Sequence, residues 1–212
     1  GSTPSGRARA GLSGVRSDGR LGSVVMADQN PLGPEEQKAL QAAGEQIKHV
    51  MKAAKVAAFN GWSIGLFAGV SLLFGFFSLT SLIIGVGLSV VARNEFKGRT
   101  AVRALDVDGL ELLWRNQVGF LMLIVGYCLW SIYSVTARPD PQMVELTDLL
   151  GSDTGQLVQE LTQLVYVAVI MGTVIFQGLN ARFYKVRIPT LKMYLDDTPA
   201  WIVDVQRATA LD

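Results

Sequence analysis

One cysteine and one histidine are the whole supply of soft metal ligands in these 212 residues. With Cys128 alone, no intramolecular disulfide and no cysteine-built metal site can form. His49 has no companion, which argues against haem, zinc and di-iron ligand sets and favours a structural or surface residue. Charge is scarce too, at 17% of residues, where a soluble domain carries roughly a quarter. The 19 basic and 18 acidic residues nearly cancel, so nothing points to nucleic acid. The chain has no P-loop, no Gly-x-Ser-x-Gly elbow, no His-Glu-x-x-His and no paired aspartates in an apolar segment. No catalytic residue, cofactor or metal is expected, and the chain reads as a non-enzyme.

Apolar residue is what the chain has instead, at 50%, concentrated in blocks 56–92, 116–137 and 161–181. A run of about 18 or more apolar residues reads as a membrane span, because a bilayer core of ~30 Å takes ~20 helical residues. The first block, between Lys55 and Arg93, is 37 residues without a charge. As one helix it would be ~55 Å long, and an average tilt of ~20° does not absorb the excess.

The basic residues decide between one crossing and two. Lys38, Lys48, Lys52 and Lys55 precede the block; Arg93, Lys97, Arg99, Arg103 and Arg115 follow it; Arg182, Lys185, Arg187 and Lys192 come last. Only if the block crosses twice do all these clusters share one side, leaving the acidic loop 137–160 alone on the other, as the positive-inside rule requires. The block therefore reads as a hairpin turning at "FFSLTS", with Ser78 and Thr80 as caps and Phe76 and Phe77 at the outer interface.

The expected fold is all-α: four transmembrane helices at 58–76, 79–93, 116–135 and 160–182, joined by an outer loop at 136–159, with both termini cytoplasmic. Residues 34–57 form an amphipathic helix that begins at Pro34 and two glutamates. Its apolar face (Leu40, Ala43, Ile47, Met51, Ala54) either anchors it on anionic lipid or binds a partner. Residues 1–33 read as a disordered leader, and the stretch before "MADQNP" at Met26 as non-native or an over-extended start. The outer loop holds a short helix from Asp140 to Gly151, with Met143, Val144, Leu146, Leu149 and Leu150 on one face. In the tail, 188–212, the chain halts at Pro189, and Thr198 and Pro199 open a last short helix carrying Trp201, Ile202 and Val205. Trp62, Trp114, Trp130 and Tyr133 fall where aromatic belts do. Asp106 and Asp108 read as turn residues. No internal repeat argues for transporter symmetry.

Two constellations stand out. Gly61, Gly65 and Gly69 on the first span, and Ser81, Gly85 and Ser89 on the second, recur every four residues. Such ladders let membrane helices approach closely, either within one molecule or as a self-association seam. The second is a polar layer: Asn60, Asn94, Glu95, Asn116, Gln117, Gln177 and Asn180 all fall at span ends on the cytoplasmic side. It either fixes helix register or forms a shallow pocket for a lipid headgroup or small polar ligand, rimmed by Arg93, Arg115 and Arg182. Lys48, Lys52 and Lys55 complete the basic residues expected to face lipid. No ionisable residue is expected well inside a span, which counts against pumps and ion-coupled transporters.

The segments "GLSVVARNEFKGR", "WRNQVGF", "GYCLWSIYS" and "TPAWIVDVQRA" resemble a group of uncharacterised bacterial four-span membrane proteins, over about Asn60 to Ala208. The resemblance implies a bacterial inner membrane and assigns no activity and no site residue. The function these readings favour is an accessory or scaffold protein that packs with itself or another membrane protein. The alternative is a small transport or ligand-binding component using the polar layer.

Overall fold

A computed structural model describes residues 32–137 and 152–211, so the leader and the expected outer-loop helix lie outside the described residues. The chain divides into two compact units, Gly1–Lys38 and Ala39–Asp212. In the first, Gly33 donates its N–H to Glu36 Oε2 at 2.9 Å, which starts a helix. Among the described residues six helices follow in order: α1 (Pro34–Gly75), α2 (Leu79–Arg103), α3 (Val107–Ala137), α4 (Ser152–Lys185), α5 (Arg187–Asp197) and α6 (Ala200–Leu211). The fold is all-α, and four helices are long and apolar enough to cross a membrane.

The amphipathic segment and the first span are one continuous helix, α1, of 42 residues. At 1.5 Å per residue it is ~63 Å long, so about half of it projects beyond a bilayer core. The turn to α2 comes at Phe76–Ser78. Ser78, extended at φ −148° and ψ 117°, accepts from the Ser81 N–H and caps α2; Thr80 lies inside the helix. A Cβ on Gly75 would sit 3.0 Å from the Leu82 Cα, a tight approach that a residue without a side chain makes easy.

Three expected boundaries are corrected. α2 runs ten residues past 93 and α3 starts nine before 116, so the pair continues beyond its apolar stretch as an antiparallel hairpin. Nothing in "RNEFKGRTAVRA" forbids helix; the break waits for "LDVDG". There the Asp106 N–H bonds Ala101 O at 2.9 Å and the Leu105 N–H bonds Val102 O at 3.0 Å, closing α2 in a Schellman motif whose left-handed position is normally glycine. Here it is Leu105, at φ 56°. A left-handed leucine costs ~1–2 kcal/mol, but this side chain is fully buried, a gain of ~1.5–3 kcal/mol, so burial wins. Asp106 Oδ1 then accepts from the Asp108 N–H at 3.0 Å and caps α3. The last correction concerns Pro189, which lies in the first turn of α5, where a missing N–H costs nothing. The interruption falls one turn earlier, between Lys185 and Arg187.

The larger core lies at the end opposite the hairpin turn. Ala43, Ile47, Val50, Ala53 and Ala57 of α1 pack there with Val102, Leu105, Leu110, Leu113, Tyr184, Leu191, Tyr194, Ile202 and Val203. The apolar face of residues 40–57 is thus covered by the chain's own helices. Arg187 Nε donates to His49 O and Arg207 Nε to Ala104 O, both at 3.1 Å, tying α5 and α6 down. Nearer the hairpin turn a smaller cluster joins Ile64 and Ala68 of α1 to Leu88, Val91 and Ala92 of α2, with Phe120, Leu123 and Ile124 of α3 against them. α4 packs there against α3, with Tyr127 and Tyr166 edge to face at 6.3 Å and Gln163 donating to Thr136 at 3.3 Å.

Candidate functional site: a buried carboxyl shared by four helices

At the junction of the two cores, each of the four long helices contributes a polar side chain to one hydrogen-bonded centre. Its hub is Glu95, with no solvent exposure. Glu95 Oε1 accepts from Asn116 Nδ2 at 2.7 Å and Gln117 Nε2 at 2.8 Å, both on α3. Glu95 Oε2 accepts from the Tyr184 hydroxyl of α4 at 3.4 Å. That hydroxyl in turn accepts from Asn60 Nδ2 of α1 at 3.3 Å. Asn116 spends its second amide proton on Val91 O at 3.0 Å, and its Oδ1 accepts from Asn94 Nδ2 at 3.2 Å. Three donors converge on one carboxyl, which is the arrangement that makes its burial tolerable.

Five of the seven polar-layer residues read from the sequence are therefore joined: Asn60, Asn94, Glu95, Asn116 and Gln117. All seven lie in helices that continue past the expected span ends. Glu95 is the seventeenth of 25 residues in α2, two residues beyond the expected span 79–93. Gln177 and Asn180 make no hydrogen bond to this centre among the described residues, and Gln177 Oε1 is buried without a partner. Gln117 Oε1 is also buried without a partner.

Tyr184 was missed because helix 4 was ended at 182. The signal was there: Gln177, Asn180 and Tyr184 follow a three-then-four spacing and share one helix face. None of the three ion pairs among the described residues involves Glu95. Lys48, Lys52, Lys55, Arg93, Arg115 and Arg182 are all exposed. Lys185 and Arg115 lie 5.3 and 5.9 Å from the Trp114 ring, giving that residue a cationic neighbourhood rather than only an interface role.

Three of the ladder glycines, Gly61, Gly65 and Gly85, face the other helix of the hairpin. A Cβ on Gly61 would sit 3.0 Å from the Phe96 ring, one on Gly65 3.8 Å from Ala92, and one on Gly85 2.9 Å from the Leu72 backbone nitrogen. Gly69 has nothing within 4 Å. The Ser89 hydroxyl donates to Gly85 O at 2.8 Å, within its own helix, and Ser81 gives its N–H to the Ser78 cap. Three glycines outside the ladders make closer contacts: a Cβ on Gly98 would meet Leu113 at 2.5 Å, one on Gly109 would meet Ala101 at 2.7 Å, and one on Gly87 would meet Leu123 at 2.8 Å.

Chemically, the centre can hold, orient or exchange a small hydrogen-bonding or cationic group. Among the described residues no group of three or more His, Cys, Asp or Glu side chains is placed to take a metal ion. Compared with known proteins, the chain matches no protein-family model, no curated protein and no solved structure.

Proposed function

We propose that this protein is a non-enzymatic accessory or scaffold protein of a membrane, with both termini and the helical head in the cytoplasm, that packs with a second copy or with another membrane protein. The observation supporting this reading is α4. None of the residues in its most apolar stretch is buried; Leu157, Leu161, Leu164, Val167, Met171, Ile175, Phe176 and Leu179 are exposed. Gly172 and Gly178 have nothing within 4 Å of where a Cβ would be. A span held on one side, with small residues open on its surface, can accept a further helix. The resemblance to four-span bacterial proteins favours an inner membrane.

Purification in mild detergent followed by mass measurement of the intact assembly tests this reading. The expected species is a homo-oligomer or a complex with another membrane protein, reduced to the single chain by Gly172→Leu with Gly178→Leu. A single chain carrying only lipid, unchanged by those substitutions, contradicts it.

One observation favours a second reading, a small-ligand-binding or transport component. Ionisable residues inside a span are rare and costly, and they mark ligand or ion sites by default. Glu95, at the cytoplasmic end of the expected second span, is a fully buried ionisable residue packed among four helices rather than facing lipid.

A further inference from the structure

We infer that the Glu95 centre binds a small monovalent metal cation, held by the Glu95 carboxylate and the side-chain oxygens of Gln117 and Gln177. This rests on the second reading above and names its ligand.

Three observations converge. Glu95 is fully buried and takes part in none of the described ion pairs, so when ionised it has no protein counter-ion at hand. A buried carboxylate with only neutral donors is short of compensation. Gln117 is 1% exposed, its amide nitrogen is fixed on Glu95 Oε1 at 2.8 Å, and its own oxygen has no donor. An orphaned buried acceptor costs ~1–3 kcal/mol, and the fixed nitrogen prevents the amide from simply turning away. The third is Gln177 on α4, whose oxygen is likewise buried without a donor.

The register of α3 and α4 brings these two amides to one level. Their reference point is the Tyr127–Tyr166 ring contact. Gln117 lies ten residues before Tyr127 and Gln177 eleven after Tyr166, ~15 and ~16.5 Å along antiparallel axes. What is missing from such a centre is positive charge and donors, not acceptors. A hard cation supplies both needs at once, because carboxylate, amide and hydroxyl oxygens are its natural ligands. The charge count selects a monovalent ion. One carboxylate neutralises one positive charge; a divalent ion would leave a net charge buried, and no acidic cluster is there to meet it. A water molecule would satisfy the amide oxygens but leave the carboxylate uncompensated.

The test uses the full chain in detergent, with thermal unfolding followed in sodium, potassium or choline chloride at constant ionic strength. Sodium or potassium is expected to raise Tm saturably while choline does not; at 100-fold over Kd the folded-to-unfolded ratio rises ~100-fold. Glu95→Gln keeps the shape and is expected to remain folded by circular dichroism while losing the dependence. Gln117→Leu is expected to weaken it. Equal curves in all three salts, or a dependence that survives in Glu95→Gln, would overturn the proposal. So would stronger stabilisation by magnesium chloride, which contradicts the charge count. If the salts act alike but a lipid or polar small molecule co-purifies and is lost in Gln117→Leu, the cation is refuted and the ligand-binding reading stands. If nothing co-purifies, both fall.

Discussion

Glu95→Leu is expected to destabilise the protein by ~3–6 kcal/mol, enough to abolish a folded species in detergent. The substitution fits the helix and is comparable in size, so the loss is not one of propensity or volume. It strands the Asn116 and Gln117 amide donors and the Tyr184 hydroxyl, bonded to Glu95 at 2.7, 2.8 and 3.4 Å, at ~1–3 kcal/mol for each buried donor. Asn116 keeps its bond to Val91 O, which bounds the loss from above. Glu95→Gln separates chemistry from packing. Its side-chain oxygen can still accept from both amides, and its new N–H₂ takes the place of Oε2 facing the Tyr184 hydroxyl, which can accept from it. A cost of ~1 kcal/mol or less is expected. Melting of purified variants checks both, and a Leu variant as stable as the Gln variant would show that the hub carries no structural weight.

The second large effect lies where α2 and α3 cross. Gly109→Ala is expected to destabilise by ~2–3 kcal/mol or more. Its Cβ would sit 2.7 Å from Ala101 Cβ, 2.8 Å from the Val102 backbone nitrogen and 3.0 Å from Gly98 O. Two of these atoms belong to helix backbone, which cannot swing aside as a side chain end can, so the start of α3 must back away and open the core around Leu110 and Leu113. Overpacking of this kind costs ~1–3 kcal/mol and occasionally more, which exceeds the gain of ~1 kcal/mol that Ala has over Gly in a helix. Gly44→Ala is the control. Nothing lies within 4 Å of that position, so propensity alone acts and a gain of up to ~1 kcal/mol is expected. Thermal unfolding of the two variants side by side should show opposite signs; equal signs would mean that the approach at Gly109 is not tight.

How much of this was legible follows from which forces leave a mark in sequence. Four apolar helices, the reversal at Ser78 and the gathering of Asn60, Glu95, Asn116 and Gln117 could be read, because hydropathy and charge set them over long stretches. The extension of α2 to Arg103 could not: "RNEFKGRTAVRA" is polar on average, and apart from Glu95 its buried residues, Gly98 and Val102, are recognisable only against their partners on α3. The same holds for the covering of Ile47, Val50 and Ala54, since an amphipathic face looks alike whether lipid or protein meets it. Leu105 hid its turn by placing a leucine where the backbone favours glycine. Tyr184 was lost to a boundary drawn three residues short.

All of this depends on the hairpin turn and the polar centre lying toward opposite faces of the membrane. With Cys128 replaced by alanine, single cysteines at Phe76 and Asp106 can be tested with an impermeant thiol reagent on intact cells. Labelling at Phe76→Cys without permeabilisation, and at Asp106→Cys only after it, is the predicted result. Labelling of both positions from the same side, or of neither because Phe76 is embedded in mid-bilayer, would contradict the hairpin and the placement of Glu95 with it.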